Sequence, residues 1–152
     1  MPVLVVGADT PIGLLVMESL SERAGEIRAF VSSPDQASDL RSHGVKVALG
    51  DVSDGSHVGG AALNCFSIVF LTAAAEDHRE RAFATTPNDV FSAWVEAIEM
   101  AQPRRVIWVG ASGSGPPRGT IGEFAVVEVD GRSAADVAAE VAYLDDLETL
   151  PS

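Results

Sequence analysis

Runs of consecutive apolar residues recur along this chain, and they alternate with stretches in which apolar residues return every three or four positions. An unbroken β-branched run, as at residues 3–6, is typical of a strand that is buried on both faces of a parallel sheet. The predicted strands are these four residues and the mainly apolar runs 27–31, 45–49, 65–71, 106–109 and 124–129.

The stretches between these runs carry the start and stop signals of helices. Ser33, Pro34 and Gln36 supply an N-cap, a proline at the first helical position and capping-box spacing. The predicted helices are residues 11–24, 34–42, 53–63, 86–102 and 133–148, and residues 110–122 are predicted to form a loop. Because strands and helices alternate, we expect one three-layer α/β domain over residues 1–152, with right-handed crossovers and a mostly parallel sheet of about six strands.

Charge and composition narrow the range of partners. The 152 residues include 10 basic and 22 acidic side chains, and the resulting net charge of −12 repels nucleic acid. The longest uncharged window, residues 55–75, is interrupted by polar residues and glycines, which argues against a membrane span. The first residues lack the features of a signal peptide, and the single cysteine, Cys65, cannot form an intrachain disulfide. We therefore expect a cytoplasmic protein whose mature chain starts at residue 1.

Other chemistry-bearing side chains do not form a recognisable site. His43, His57 and His78 lack the spacing of metal ligands, so no metal site is predicted. Cys65 has no histidine nearby in the sequence and is interpreted as a small buried hydrophobe. The mixed-charge segment at residues 76–81 is interpreted as a solvated loop or helix start.

The segment with most chemical content is the turn from Gly7 to Gly13, between the first strand and the first helix. A backbone without Cβ permits a tight turn here and the close approach of a pyrophosphate to the helix N-terminus. However, Thr10 stands where the middle glycine of the usual pattern would be, and Asp9 brings negative charge to the phosphate position. The turn alone therefore fits both a dinucleotide site and a packing turn without a ligand.

Further motifs follow the turn in a particular order, at the ends of successive predicted strands. They are Ala29-Phe30-Val31, Gly50-Asp51-Val52, residues 68–74 (Ile-Val-Phe-Leu-Thr-Ala-Ala) and residues 105–109 (Arg-Val-Ile-Trp-Val). Over residues 2–115 this order resembles the extended and atypical short-chain dehydrogenase/reductase superfamily, especially its NmrA-like and NAD-dependent epimerase/dehydratase-like branches. The resemblance implies a single Rossmann-like, doubly wound domain that binds NAD(P).

The resemblance also implies a role for each matching residue. It places Gly7, Ala8, Thr10, Ile12 and Gly13 at the pyrophosphate, Asp51 and Val52 at the adenine, and Thr72, Ala73 and Ala74 at the ribose and nicotinamide. Asp51 has a second interpretation, in which it only starts the next turn. Ser32 and Ser33 occupy the end of the second strand, where NAD binders carry an acid and NADP binders a nearby arginine. Their hydroxyls, with Arg28 or Arg41 as the cation, favour NADP slightly over NAD.

The chain also departs from the superfamily pattern. Mainstream members use a Tyr-x-x-x-Lys pair, in which the lysine lowers the pKa of the tyrosine. Here the only tyrosine is Tyr143, residue 147 is leucine, and the only lysine, Lys46, is about a hundred positions earlier. Gly110 and Ala111 stand where the superfamily usually has serines. No catalytic residue is therefore predicted. Residues 124–147 resemble the strand and helix that come late in longer members, which implies that this chain lacks the substrate-binding segment that precedes them in those members.

Three functional hypotheses follow. The leading one is an NAD(P)-binding protein without tyrosine–lysine chemistry, a pseudoenzyme that works as a dinucleotide-responsive or accessory module. The second is a degenerate Rossmann scaffold that binds no cofactor and forms a homodimer, with the helix of Trp94 contributing either to the core or to the interface. The third is an NADPH-dependent reductase that needs no protein acid, because the cofactor supplies the hydride.

Overall fold

The computed structural model describes residues 1–23, 25–116 and 121–151. The strands are β1 (Val3–Val6), β2 (Ile27–Val31), β3 (Lys46–Leu49), β4 (Ser67–Leu71), β5 (Arg105–Gly110) and β6 (Glu123–Glu128). The helices are α1 (Pro11–Leu20), α2 (Pro34–Ser42), α3 (Gly55–Ala61), α4 (Ala73–Glu76), α5 (Pro87–Ala101) and α6 (Ala134–Asp146). All six predicted strands and all five predicted helices are present.

The six strands form one all-parallel sheet in the order β3-β2-β1-β4-β5-β6. One apolar cluster covers one face of the sheet with side chains of α1, α2 and α6, and a second covers the other face with α3, α4 and α5. The predicted α/β fold is therefore confirmed as a Rossmann-like, doubly wound sheet. The strand order reverses direction beside β1, which pairs with both β2 and β4, and this is where such sheets bind ligands.

Local sequence signals account for most helix boundaries. Thr86 and Asp89 form a complete capping box at the start of α5, and Ser33 caps α2 by accepting a hydrogen bond from the N–H of Gln36. The glycine-rich α3 forms because it packs closely on α5. A Cβ at Gly59 would lie 2.6 Å from the sulfur of Met100, and one at Gly55 2.6 Å from the carbonyl oxygen of Ala93, so these two glycines permit the close approach of the two helices.

Some boundaries differ from those predicted. Helix α1 ends at Leu20 rather than at residue 24, and the short helix α4 was not expected. Gly110, the first residue of the predicted loop at residues 110–122, is instead the last residue of β5. Residues 117–120 of that loop lie outside the described residues.

Aromatic side chains fill the core between the sheet and α5. Trp94 is fully buried, stacks on Phe70 with ring centroids 5.0 Å apart, and donates a hydrogen bond to the carbonyl of Val52. The prediction that Trp94 and its helix contribute to the core is therefore confirmed. Cys65 is also buried, and burial raises the pKa of its thiol, as expected of a small hydrophobe rather than a nucleophile.

None of the described helices is both long and apolar enough to cross a membrane. Within the described residues, no group of three or more histidine, cysteine, aspartate or glutamate side chains is arranged to hold a metal ion.

Candidate functional site: the carboxyl edge of the sheet

The glycine turn follows β1, at the edge where the carboxyl ends of the parallel strands meet. Gly7 has a φ of +89°, and a Cβ there would lie 2.8 Å from the Cβ of Ala74. A Cβ at Gly13 would lie only 2.3 Å from the carbonyl oxygen of Gly7. Both positions therefore require glycine for the turn itself. A side chain at Gly7 would clash with Ala74 of α4, and one at Gly13 would push α1 away from β1.

Thr10 closes this turn from the inside. Its side chain is almost completely buried, donates a hydrogen bond to the Gly7 carbonyl at 2.7 Å and accepts one from the N–H of Gly13 at 3.0 Å. Pro11 has no N–H, and the N–H of Leu14 bonds to the Thr10 carbonyl. Thr10 thus occupies the amide of Gly13, whereas the N–H of Ile12 has no hydrogen-bond partner among the described residues.

Asp9 turns away from the helix toward the end of β2. Its Oδ2 accepts hydrogen bonds from the backbone N–H of Ser32 at 2.9 Å and of Ser33 at 3.2 Å. The Asp9 side chain is only 3% exposed. Sequence analysis placed Asp9 at the phosphate, whereas the structure places its carboxylate at the carboxyl end of β2.

The segment after α4 crosses over this position. The Nη1 of Arg79 lies 3.0 Å from Asp9 Oδ1 and 3.2 Å from Ser32 Oγ, and the same guanidinium binds Asp77. Burial alone would lower the pKa of Arg79, but its bonds to Asp77 and Asp9 outweigh burial and raise it. The solvated interpretation of residues 76–81 is therefore wrong for Arg79, whose side chain is 12% exposed.

The role of Arg79 at this edge was missed because Ser32 and Asp9, which it contacts there, are 47 and 70 residues away in sequence. One signal was available, since a cation just after β4 must lie at the same edge as the end of β2. The two arginines assigned to a 2′-phosphate lie elsewhere. Arg28, near the start of β2, donates to the Ala61 and Leu63 carbonyls, and Arg41, in the last turn of α2, donates to Val47. That assignment is corrected.

Asp51 shapes the loop after β3. Its Oδ1 accepts hydrogen bonds from the N–H and hydroxyl of Ser53, and its Oδ2 accepts one from the N–H of Ala82 at 2.6 Å. Burial would raise the pKa of this carboxyl, but the bonds from Ala82 and Ser53 outweigh burial and lower it. These bonds show the turn-forming role that sequence analysis left open, and the adenine contact stays a prediction.

Two clefts flank the glycine turn. A cleft of about 930 Å³ lies on the β2 and β3 side, with the following lining: Asp9, Ser32, Ser33, Gly50, Asp51, Asp77, Arg79, Glu80, Arg81 and Ala82. A cleft of about 280 Å³ lies on the β4 and β5 side, lined by Ile12, Leu71, Thr72, Ala73, Glu76, Val109, Val129, Arg132, Ala134 and Val137. Asp9 and Ile12 belong to the same turn, so the turn lies between the two clefts.

The structure brings most of the predicted site residues to this edge, with different exposure. Ser32, Ser33 and Asp51 line the larger cleft, and Ile12, Thr72 and Ala73 line the smaller one. Side chains that lie in the core instead are Ala8, Val52 and Ala74, each fully buried. These three residues are therefore not exposed to either cleft.

The tyrosine and the lysine lie away from both clefts. Tyr143 is 63% exposed near the C-terminal end of α6, where it lines a separate pocket with Arg23. Lys46 begins β3, at the amino edge of the sheet, and its Nζ binds Glu26 at 2.6 Å. Among the described residues, therefore, no tyrosine–lysine pair is present at the carboxyl edge.

The sheet order and the glycine-lined edge define a dinucleotide-binding α/β protein. This chain belongs to the NAD(P)H-binding family, because the model of that family matches residues 7–145. The resemblance to atypical short-chain dehydrogenases/reductases is thereby confirmed. A comparison with curated proteins finds no match.

Solved structures with the same fold include several reductases. The anaerobillin reductase ChuY from Escherichia coli O157:H7 has 19% identity and a TM-score of 0.71, over 98% of this chain and 92% of that one. The triphenylmethane reductase of Citrobacter sp., complexed with NADP(H), has 20% identity and a TM-score of 0.61. It is matched over 94% of this chain, which spans only 46% of its length.

Proposed function

We propose that this protein binds an adenine dinucleotide along the carboxyl edge and works without tyrosine–lysine acid catalysis, as a dinucleotide-responsive or accessory module. The observation that carries the proposal is the pair of clefts separated by the glycine turn. A dinucleotide would place adenosine in the larger cleft, pyrophosphate over the turn and nicotinamide in the smaller cleft.

A thermal-shift titration with NAD, NADH, NADP, NADPH and ATP tests the proposal. A ligand that binds only the folded state stabilises it by about 2.7 kcal/mol at about 100-fold excess over Kd. For a chain of this size that corresponds to a rise in Tm of roughly 5–10 °C. We expect this rise with at least one dinucleotide. Flat curves at millimolar ligand would reject the proposal and favour the second hypothesis, a Rossmann scaffold that binds no cofactor. Sedimentation analysis would then test whether that scaffold forms a homodimer.

The hydroxyl of Thr10 is expected to limit dinucleotide affinity. In a Thr10→Gly variant the N–H of Gly13 becomes available to a phosphate oxygen, and a hydrogen bond to a charged group contributes about 1.5–3 kcal/mol. We expect binding about tenfold tighter by calorimetry, with a stability cost of a few tenths of a kcal/mol for the lost cap. Thr10→Ser keeps the hydroxyl and is the matched control, with wild-type affinity. Equal affinities of Thr10→Gly and wild type would contradict this role.

A reductase is the second candidate function, and the smaller cleft favours it. Bound NAD(P)H supplies a hydride, and solvent can supply the proton where no protein acid is present. The reductase ChuY is matched over 92% of its length, so a chain of this size is compatible with such an activity. The Citrobacter enzyme is complexed with NADP(H), and another structure of similar fold, the quinone oxidoreductase QOR2 from Escherichia coli, is NADPH-dependent. Oxidation of NADH or NADPH with a panel of acceptors tests this candidate, and no turnover would favour the accessory module.

The remaining expectations from sequence stay predictions. The cytoplasm is the predicted compartment, because the chain has one free, buried cysteine. Neither nucleic acid nor a membrane is an expected partner, given the net charge of −12.

A further inference from the structure

The carboxylate of Asp9 is held at the end of β2 by three hydrogen-bond donors. Two are the backbone N–H groups of Ser32 and Ser33, at 2.9 and 3.2 Å. The third is Nη1 of Arg79 at 3.0 Å, and that nitrogen also contacts Ser32 Oγ at 3.2 Å. The side chain is 3% exposed, so its position is fixed by packing as well as by these bonds.

The end of β2 is where dinucleotide-binding sheets distinguish the two cofactors. An acid at this place accepts a hydrogen bond from the 2′-hydroxyl of NAD, whereas a nearby arginine accommodates the 2′-phosphate of NADP. In this chain β2 is followed by two uncharged residues, Ser32 and Ser33. Asp9 supplies the missing carboxylate from the glycine turn, and its Oδ2 lies against the backbone of those residues.

Arg79 does not reverse the charge of this position. Its guanidinium binds the carboxylates of both Asp9 and Asp77, so the cation is already compensated. Among the residues lining the larger cleft, four are acidic and two are basic: Asp9, Asp51, Asp77 and Glu80 against Arg79 and Arg81. A 2′-phosphate would add charge of the same sign next to a buried carboxylate, whereas a ribose hydroxyl would donate to it.

We propose that Asp9 is the specificity-determining residue and selects NAD(H) over NADP(H). This inference rests on the proposed dinucleotide site. The slight preference for NADP drawn from sequence assumed that Arg28 or Arg41 was the cation near Ser32. The structure places both elsewhere and puts a carboxylate in the pocket that the serine pair was expected to offer to a phosphate.

Calorimetric titration of the full chain with NADH and NADPH tests this inference. The wild type is expected to bind NADH on the order of 100-fold more tightly, since like-charge juxtaposition is strongly unfavourable. Asp9→Asn keeps the shape of the side chain and removes its charge, which also releases Arg79 toward a 2′-phosphate. We expect this variant to reduce the NADH preference at least about tenfold.

Asp39→Asn is the matched control, because it makes the same substitution at an exposed residue of α2 that does not line the cleft. It is expected to leave the ratio of the two affinities within about twofold of wild type, since charges of exposed residues are screened. Equal changes in both variants would show that net charge rather than position matters, and would overturn the inference. Circular dichroism verifies that Asp9→Asn is folded. If the variant is not folded, the ratio of the NADH and NADPH affinities of the wild type alone tests the inference.

The titration separates this inference from the proposed function. Tighter or equal binding of NADPH by the wild type would overturn the role of Asp9 and leave dinucleotide binding intact. Binding of neither cofactor would overturn both. Tight NADH binding with a reduced preference only in Asp9→Asn would support both.

Discussion

Replacement of Glu123 by glutamine is expected to lower the free energy of unfolding by about 3 kcal/mol, as for a broken buried ion pair. Arg105 is completely buried at the start of β5, and its Nη2 donates to Glu123 Oε1 at 2.9 Å. The same carboxylate accepts from the N–H of Leu150 and from Arg104 Nε. Arg105 also donates to carbonyls at the end of α6, so the pair anchors that helix and the C-terminal segment to the sheet.

This ion pair also predicts how stability depends on pH. Burial raises the pKa of Glu123, but the bonds from Leu150, Arg104 and Arg105 outweigh burial and hold it at about 2, below the ordinary 4.5. A carboxyl whose pKa is lower in the folded state stabilises the fold fully above its unfolded pKa. The contribution is therefore lost as the pH falls from about 4.5 through about 2.

Urea unfolding of wild type and Glu123→Gln at pH 7 and pH 3 measures both effects. We expect a large difference in unfolding free energy at pH 7 and a smaller one at pH 3. Glu99→Gln, at an exposed position of α5, is the control and should change stability by less than about 0.5 kcal/mol. A Glu123→Gln difference as small as that of the control would refute the anchoring role.

A second large effect is expected from alanine at Gly13. Glycine to alanine inside a helix normally stabilises by about 0.5–1 kcal/mol. At Gly13, however, the added Cβ would lie 2.3 Å from the Gly7 carbonyl oxygen and 2.8 Å from the Ala8 Cα. Because both neighbours are backbone, α1 must move away from β1, and we expect a net loss of about 3 kcal/mol.

Gly60 offers the matched control for this variant. It lies inside α3, and a Cβ there would meet nothing within 4 Å. Gly60→Ala should therefore raise the free energy of unfolding by about 0.5–1 kcal/mol, measured by the same urea titration. Stabilisation by Gly13→Ala as well would show that the turn can relax. Loss of dinucleotide binding in Gly13→Ala would follow from the displaced helix, so Thr10→Gly is the better probe of the phosphate site.

Most of the secondary structure could be predicted because its signals are local. The unbroken apolar run of β1, the mainly apolar run of β4 and the capping residues Ser33 and Thr86 are all local signals, which span only a few positions. Helix α4 escaped prediction for the opposite reason. Its four residues carry no side-chain cap, and two of them, Ala74 and Ala75, are buried against the core by contacts made elsewhere in the chain.

The sequence by itself determined the α/β class, the six strands, the glycine turn and the separation of the lone tyrosine from the lone lysine. These properties follow from residue order and periodicity. Only the tertiary structure decided what surrounds Asp9. The sheet brings residues 9, 32 and 79 to one edge, and the resulting charge pattern depends on which side chains meet there. Sequence spacing does not encode such a meeting, because ion pairs and hydrogen bonds act over a few ångströms whatever the length of chain between the partners.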